Sequence, residues 1–163
     1  MITFPPYIVI WIKNLDFIPY CIVVGLISFI GAYTISLGAE FFGINLEGQL
    51  NEYTTSIDLS MRGLLIIMFV APIAETILLC AFVSLLIKSK LSNQQCCVIS
   101  ALVWGALHGL LAPIKFLTAT WTFYLFSISY VFWKRKSLKK GLIAAAIPHI
   151  ILNTLGMAII LLS

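Results

Sequence analysis

Five long apolar runs separated by short polar segments dominate the chain. A helix needs about 20 mostly apolar residues to cross the hydrocarbon core of a bilayer, and each run is long enough to form one such helix. The pattern therefore predicts an all-α fold, a polytopic transmembrane helical bundle with about five spans. These lie at residues 18–42, 62–88, 95–112, 116–133 and 141–162.

A shorter apolar stretch precedes the first predicted span. Residues 4–15, FPPYIVIWIKNL, contain two adjacent prolines and are too few to cross a bilayer. Tyr7 and Trp11 are of the residue types that lie at the headgroup level. We expect residues 1–17 to form an interfacial N-terminal segment and residues 18–163 a single transmembrane domain, because no linker or internal repeat divides them.

The composition agrees with this pattern and narrows the possible partners. Of the 163 residues, 61% are hydrophobic and only 10% are charged, and the mean hydropathy is +1.08, as expected when lipid is the solvent. The net charge of +4 is small and lies mostly in short loops, which argues against nucleic acid as a partner. The lipid bilayer is therefore the first partner that the sequence predicts.

The charged residues also predict an orientation. Basic residues concentrate before the first span, between the second and third, and between the fourth and fifth, whereas the charged residues of segment 43–61 are all acidic. Because positively charged loops stay on the cytoplasmic side, we expect the N-terminus inside and the C-terminus outside. The basic residues concerned are Lys13, Lys88, Lys90, Lys134, Arg135, Lys136, Lys139 and Lys140.

The four cysteines predict neither a metal site nor a disulfide. Their spacing does not match that of metal-binding motifs. Three of the four lie in or at the edge of apolar segments, where cysteine behaves as a small hydrophobic residue. The four cysteines are Cys21, Cys80, Cys96 and Cys97.

Few ionisable side chains lie deep in the predicted spans. They are Glu75, in the stretch PIAETILLC, and the histidines His108 and His149, with Asn153 as their most polar neutral companion. A charge at the centre of a membrane helix costs roughly 2.5–3.5 kcal/mol on insertion scales. His149 and Asn153 stand four residues apart, so both project from one face of a helix. Four such residues on three spans indicate a functional site.

These residues also have purely structural interpretations. Glu75 could be a protonated acid in one interhelical hydrogen bond, and a lone intramembrane histidine is commonly a satisfied donor. Pro72, three residues before Glu75, removes an amide hydrogen and frees the carbonyl four residues earlier, at Met68. Pro148 does the same in the fifth span. Neighbouring helices commonly satisfy such carbonyls in membrane proteins.

The residue types suit hydrolysis of an amide bond. A glutamate in an apolar pocket can act as a general base, imidazoles can position a water or donate protons, and an asparagine amide can stabilise an oxyanion. No cofactor is required on this interpretation. Glu75, His108 and His149 could instead hold a zinc ion with an open position for water, although the chain has no HExxH motif.

Three short motifs resemble those of the CAAX-processing endopeptidase and bacteriocin-processing family of intramembrane proteases, also called the Abi family. The first family motif, EExxxR, resembles PIAETILLC. The second, FxxxH, resembles SALVWGALHGLL with Trp104 in place of Phe, and the third, HxxxN, resembles IPHIILN. The motifs occur in the family order on separate spans, and the resemblance runs from about residue 62 to residue 156.

The resemblance implies a role for each of the four polar residues. Glu75 with His108 would activate the attacking water, and His149 with Asn153 would form the oxyanion hole. No covalent intermediate is implied. The resemblance leaves open whether the chemistry is that of a glutamic protease or of a metalloprotease.

The chain departs from the first motif at two positions. Thr76 stands where the motif has its second Glu, and Cys80 stands where it has Arg. If that Glu and Arg form an ion pair in relatives, the loss of both avoids an unpaired buried charge. The family core also usually contains more than five spans, so the resemblance implies a divergent member.

The sequence thus predicts an intramembrane endopeptidase that hydrolyses a peptide bond of a membrane-associated peptide or protein. The resemblance implies the cytoplasmic membrane of a bacterium as its location. The main alternative is a non-catalytic immunity or partner-binding membrane protein that retains the family fold. A proton-coupled transporter that uses Glu75 and the histidines as a relay is a third interpretation, weakened by the lack of an inverted repeat.

Overall fold

The structure, a computed structural model, describes residues 14–42 and 58–162. Every regular element in these two ranges is helical. The helices are α1 (Phe17–Phe41), α2 (Met61–Ile87), α3 (Asn93–Gly109), α4 (Pro113–Lys134) and α5 (Leu138–Leu162). Helix α2 contains π-helical turns at Ile66–Val70, between α-helical Met61–Leu65 and Ala71–Ile87.

The five helices confirm the predicted fold class. They match the five predicted spans in number and order, with ends that differ by three residues or fewer. Helices α1, α2 and α5 are each long and apolar enough to cross a membrane. The predicted interfacial segment 1–17 lies almost entirely outside the described residues, so this segment and the division into domains stay predictions.

Residues at the start of α3 and at the start of α4 favour a helical hairpin. At the start of α3, the Ser92 side chain accepts a hydrogen bond from the Gln95 N–H while the Gln95 side chain accepts one from the Ser92 N–H, a capping box. Pro113 is the first residue of α4. The N–H groups of the first turn have no partner within a helix, so a proline there costs no hydrogen bond. Only the turn 110–112 separates the two helices.

Glycines let α3 approach α4 closely. A Cβ at Gly105 would collide with Thr120, and one at Gly109 would lie 3.0 Å from the Cβ of Phe116. Close approach of this kind is what favours helix association where lipid and side chains are equally apolar. The contact also brings His108, one residue before Gly109, up against α4.

Helix α4 lies at the centre of the bundle. It packs against α1, α2, α3 and α5, while α2 packs against α3, α4 and α5. The largest buried cluster joins α2, α4 and α5. In a bilayer such a cluster is stabilised by van der Waals packing between the side chains rather than by their removal from water. Its members are Leu79, Cys80, Val83, Ala119, Phe123, Phe126, Tyr130 and Ala145.

The cysteines are part of this packing. All four are buried, and each is a free thiol, as the sequence predicts. Cys80 lies in the α2–α4–α5 cluster, and Cys21 lies in a second cluster that joins α1, α4 and α5. Both therefore act as small hydrophobic residues.

The basic loops gather at one end of the bundle. Lys134 Nζ, at the end of α4, donates to Ser84 Oγ, near the end of α2, over 2.9 Å. Lys140, in the first turn of α5, lies 6.0 Å from the ring of Phe17 at the start of α1. These contacts agree with the charge pattern, which places the loops after α2 and α4 on one side. The side of the membrane on which this end lies stays a prediction.

The residues around the candidate site lie at a similar depth in the bundle. Counted from the helix ends at the basic end, they are 11 to 15 residues along their helices. At a rise of 1.5 Å per residue, this level is about 16–23 Å from that end. The residues at this level include Glu75 on α2, His108 on α3, Phe123 on α4 and His149 on α5.

Candidate active site

Glu75 lies between the two histidines of the chain. Its Oε2 is 3.6 Å from Nε2 of His108 and 3.7 Å from Nε2 of His149. The three side chains come from α2, α3 and α5, so three separate spans converge on one carboxylate. The structure thus brings together three of the four residues that the sequence singles out.

A backbone contact orients the ring of His108. Its Nδ1 lies 2.9 Å from the carbonyl oxygen of Trp104, one turn earlier in α3. Because a carbonyl oxygen only accepts, Nδ1 carries a hydrogen and donates it. In the neutral ring Nε2 is then unprotonated, and it faces Glu75 across a distance too long for a direct hydrogen bond. This spacing suits a water that donates one hydrogen to each of them.

The site is closed at one side and open at another. The side chain of His149 is only 4% exposed, whereas those of Glu75 and His108 are 32% and 25% exposed. Leu78, three residues after Glu75 on α2, and Leu107, which precedes His108 on α3, are also exposed. Glu75 and His108 therefore lie on the more open side of the site, on helices that also present exposed apolar residues.

Thr76 occupies the position at which the first motif has its second Glu. Its side chain is buried, and its Oγ1 is 3.2 Å from Nδ1 of His149. A hydroxyl can donate or accept, so the contact fits either tautomer of the imidazole. The threonine gives His149 a polar partner where the motif has a carboxylate.

Lys115 of α4 has an electrostatic interaction with Glu75. Lys115 lies half-buried in the first turn of α4, and its charge interacts with that of Glu75. The arginine of the first motif would instead come from α2 itself, at the position of Cys80. In this chain that position is buried in the apolar cluster.

Asn153 makes a contact that sequence reasoning did not find. Its Nδ2 donates to the carbonyl oxygen of Ile67, in the π-helical turns of α2, over 2.9 Å. This bond uses one of the two amide hydrogens. Asn153 lies one turn from His149 on the same face of α5, and its predicted role at an oxyanion stays a prediction.

Sequence reasoning also missed two aromatic side chains of α4. The ring centroid of Phe123 is 5.0 Å from that of His108 and 5.3 Å from that of His149. Phe126 stacks on His149 at 4.9 Å, and Trp104 lies parallel to Phe123 at 5.0 Å. Both phenylalanines are buried. They form an apolar wall behind the two imidazoles and restrict the orientation of each ring.

The zinc alternative requires that Glu75, His108 and His149 form a metal-binding group. In residues 14–42 and 58–162, no group of three or more His, Cys, Asp or Glu side chains is placed to hold a metal ion. Glu75, His108 and His149 are donor types that zinc accepts, but they do not form such a group. Binding of zinc by these three residues stays a prediction.

Comparison with known families agrees with the three motifs. The model of the type II CAAX prenyl endopeptidase Rce1-like family matches residues 58–155, well over half of the chain and a range that includes all four candidate residues. No curated protein and no solved structure matches the chain. The family match and the three apolar helices describe an integral membrane protein. The chain therefore belongs to the Rce1-like family of CAAX endopeptidase-type membrane proteases.

Proposed function

We propose that the protein is an intramembrane endopeptidase that hydrolyses a peptide bond of a membrane-associated peptide or protein. The observation that carries this proposal is the placement of one carboxylate oxygen within 3.7 Å of two imidazole nitrogens from two other helices. Family membership supports the class of reaction. The partial exposure of Glu75 and His108, on helices that present exposed apolar residues, suits a substrate that arrives from the membrane.

In the proposed mechanism, Glu75 is the general base. A water held by Glu75 and His108 attacks the carbonyl carbon of the scissile bond and gives one proton to Glu75. The carbonyl oxygen becomes an oxyanion. Glu75 then passes its proton to the leaving nitrogen, the C–N bond breaks, and a carboxylic acid and an amine remain.

His149 and Asn153 are proposed to stabilise the oxyanion. When the Thr76 hydroxyl donates to Nδ1 of His149, Nε2 keeps its hydrogen and can donate it to the oxyanion. Asn153 has a second amide hydrogen besides the one on Ile67. No metal takes part in the proposed mechanism, and a zinc ion on Glu75, His108 and His149 is the alternative that a chelator tests.

The proposed setting is the cytoplasmic membrane of a bacterium, with the basic end of the bundle inside. The charge of the loops supports this orientation. A cysteine-accessibility assay checks it: a single cysteine near Lys90 should react only from the cytoplasmic side, and one near Leu110 only from the outer side. The exchanged pattern, or reaction of both from one side, would contradict the orientation.

One observation favours a second candidate function, that of a non-catalytic immunity or partner-binding protein. Thr76 and Cys80 replace two polar residues of the first motif, and a supporting shell often orients a catalytic group. The Thr76–His149 contact weighs against this alternative because it keeps a polar partner on the histidine.

The experiment that tests the proposed function is cleavage of a defined peptide by the purified protein. The probe is a quenched fluorescent peptide with a farnesylated CAAX C-terminus, compared with the same peptide without the lipid. Mass spectrometry should locate one cleaved bond, and the cleavage should be lost in His108→Ala. Binding of both peptides without cleavage would favour the non-catalytic alternative.

A further inference from the structure

The π-helical turns of α2 leave one backbone carbonyl without its helical donors. The N–H of Ala71 donates to Ile66 O, five residues earlier, rather than to Ile67 O. The next residue, Pro72, has no N–H to offer. Ile67 O therefore lacks both the donor of an α-helix, at position 71, and the donor of a π-helix, at position 72.

This result extends the expectation from the sequence. Proline alone frees the carbonyl four residues earlier, at Met68. The π-helical turns add Ile67, because they shift the bond of Ala71 back by one residue. In an apolar span an unsatisfied carbonyl is costly, since no bulk water reaches it. A donor from another helix is the available remedy.

Asn153 of α5 supplies that donor. Its Nδ2 lies 2.9 Å from Ile67 O, and since the carbonyl can only accept, the amide nitrogen rather than the amide oxygen must face it. One turn earlier on the same face of α5, His149 meets Thr76 and faces Glu75. The same face of α5 is thus attached to α2 at two successive turns.

We propose that Asn153 is a positioning residue: by capping Ile67 O it holds α5 against α2 at the spacing that places His149 beside Glu75. One part of this proposal rests on the proposed function: that the spacing of α5 and α2 affects cleavage. The bond itself, and the dependence of that bond on Pro72, concern stability and are measurable without any substrate.

A double-mutant cycle between Pro72 and Asn153 tests the bond. Pro72→Ala restores an N–H at residue 72. Ile67 O gains a backbone donor if the π-helical turns extend so that residue 72 donates to it, or if residues 66–70 become α-helical so that Ala71 does. We expect Asn153→Leu to lower the Tm of the detergent-solubilised protein by about 2–6 °C with Pro72 present. In the Pro72→Ala background, the same substitution should lower the Tm by less than half as much. Equal losses in the two backgrounds would overturn the proposal.

A matched cycle controls for general effects of Pro72→Ala. Ser129 accepts a hydrogen bond from Tyr20 on the other side of the bundle, so the effects of Ser129→Ala and Pro72→Ala should add. If Asn153→Leu does not fold, Asn153→Ala replaces it in the same cycle. Coupling of Pro72 to Ser129 as strong as its coupling to Asn153 would contradict a specific bond.

The activity of the same variants separates positioning from oxyanion binding. If Asn153 acts by holding α5, Pro72→Ala should by itself lower kcat on the farnesylated peptide, because a backbone donor on Ile67 O weakens the link from α2 to α5. Asn153→Leu should then cost less kcat in the Pro72→Ala background than with Pro72 present. The same loss of kcat in both backgrounds, with coupled Tm values, would show that the bond exists but does not position the site. If the wild-type protein cleaves no probe, the proposed function fails while the Tm cycle still decides whether the bond exists.

Discussion

Helix α5 packs against α1 and against α2 by different means. Towards α1 its contacts are apolar: Ile151 lies so close to Gly25 that a Cβ there would be 2.9 Å from it, and Ala144 is fully buried in the α1–α4–α5 cluster. Towards α2 it makes two polar contacts, at His149 and Asn153.

The apolar face of α5 towards α1 contributes to stability, and the polar face towards α2 contributes to the candidate site. Apolar packing depends on volume and shape and tolerates changes that keep both. Polar contacts depend on individual atoms, and a single missing donor can remove them. We therefore expect substitutions on the α1 face to change the Tm with little effect on cleavage. Substitutions on the α2 face should reduce cleavage, and at Asn153 they should lower the Tm as well, because Ile67 O loses its donor.

The largest effect is expected on the α2 face, at His149. His149→Leu keeps an apolar side chain beside Phe126 but removes both ring nitrogens. The value of kcat should fall by about 10²–10³-fold, the typical cost of removing one hydrogen-bond donor to an oxyanion. Steady-state cleavage of the farnesylated peptide measures this, and a loss below threefold would remove His149 from the mechanism.

The next effect is expected on the α1 face, at Gly25. Gly25→Leu places a side chain where Ile151 already lies, and overpacking of this kind costs about 1–3 kcal/mol, or roughly 3–10 °C in Tm. Gly38→Leu on the same helix is the matched control, because no neighbouring atom lies within 4 Å of a Cβ there. Cleavage per folded molecule should be unchanged in both variants, so a large loss at Gly25 alone would contradict the separation of the two faces.

A smaller effect on the α2 face is expected at Thr76. Thr76→Val keeps the shape and removes the hydroxyl that contacts His149. Loss of one hydrogen bond worth about 1 kcal/mol corresponds to roughly a fivefold fall in kcat. Thr76→Ser keeps the hydroxyl and should retain most of the activity. Equal activity of the valine and serine variants would mean that the contact does not orient the ring.

The smallest effect is expected from removal of metal ions. Incubation with 1,10-phenanthroline should leave the rate of cleavage unchanged relative to its non-chelating 1,7 isomer, because no metal takes part in the proposed mechanism. Inhibition by the 1,10 isomer that added zinc reverses would instead favour the zinc alternative, for which Glu75, His108 and His149 are the candidate ligands.

The helices and the convergence of Glu75 with the two histidines could be predicted from the sequence. Long apolar runs are a strong signal, and ionisable residues within them are rare enough to be found by inspection. The three motifs then place these residues on separate helices that must meet for the chemistry to occur.

Other parts of the site could not be predicted, for identifiable physical reasons. The fourth span is rich in aromatic residues, and no periodicity shows that Phe123 and Phe126 rather than their neighbours face the histidines. The bond from Asn153 to Ile67 depends on a change from α- to π-helical hydrogen bonding that shifts the free carbonyl by one residue. Pro72 indicates that the bonding of α2 is interrupted, but it does not show that Ile67 O as well as Met68 O loses its donor.

The most direct test of the central claim, that Glu75 is the base of a hydrolytic site, compares two glutamate variants. Glu75→Gln keeps the size of the side chain and removes its ability to accept a proton, whereas Glu40→Gln makes the same change at an exposed position near the end of α1. At equal amounts of folded protein, Glu75→Gln should cleave the farnesylated peptide about 10²–10⁴-fold more slowly than wild type, and Glu40→Gln should match wild type. Cleavage by Glu75→Gln within twofold of wild type would contradict the account.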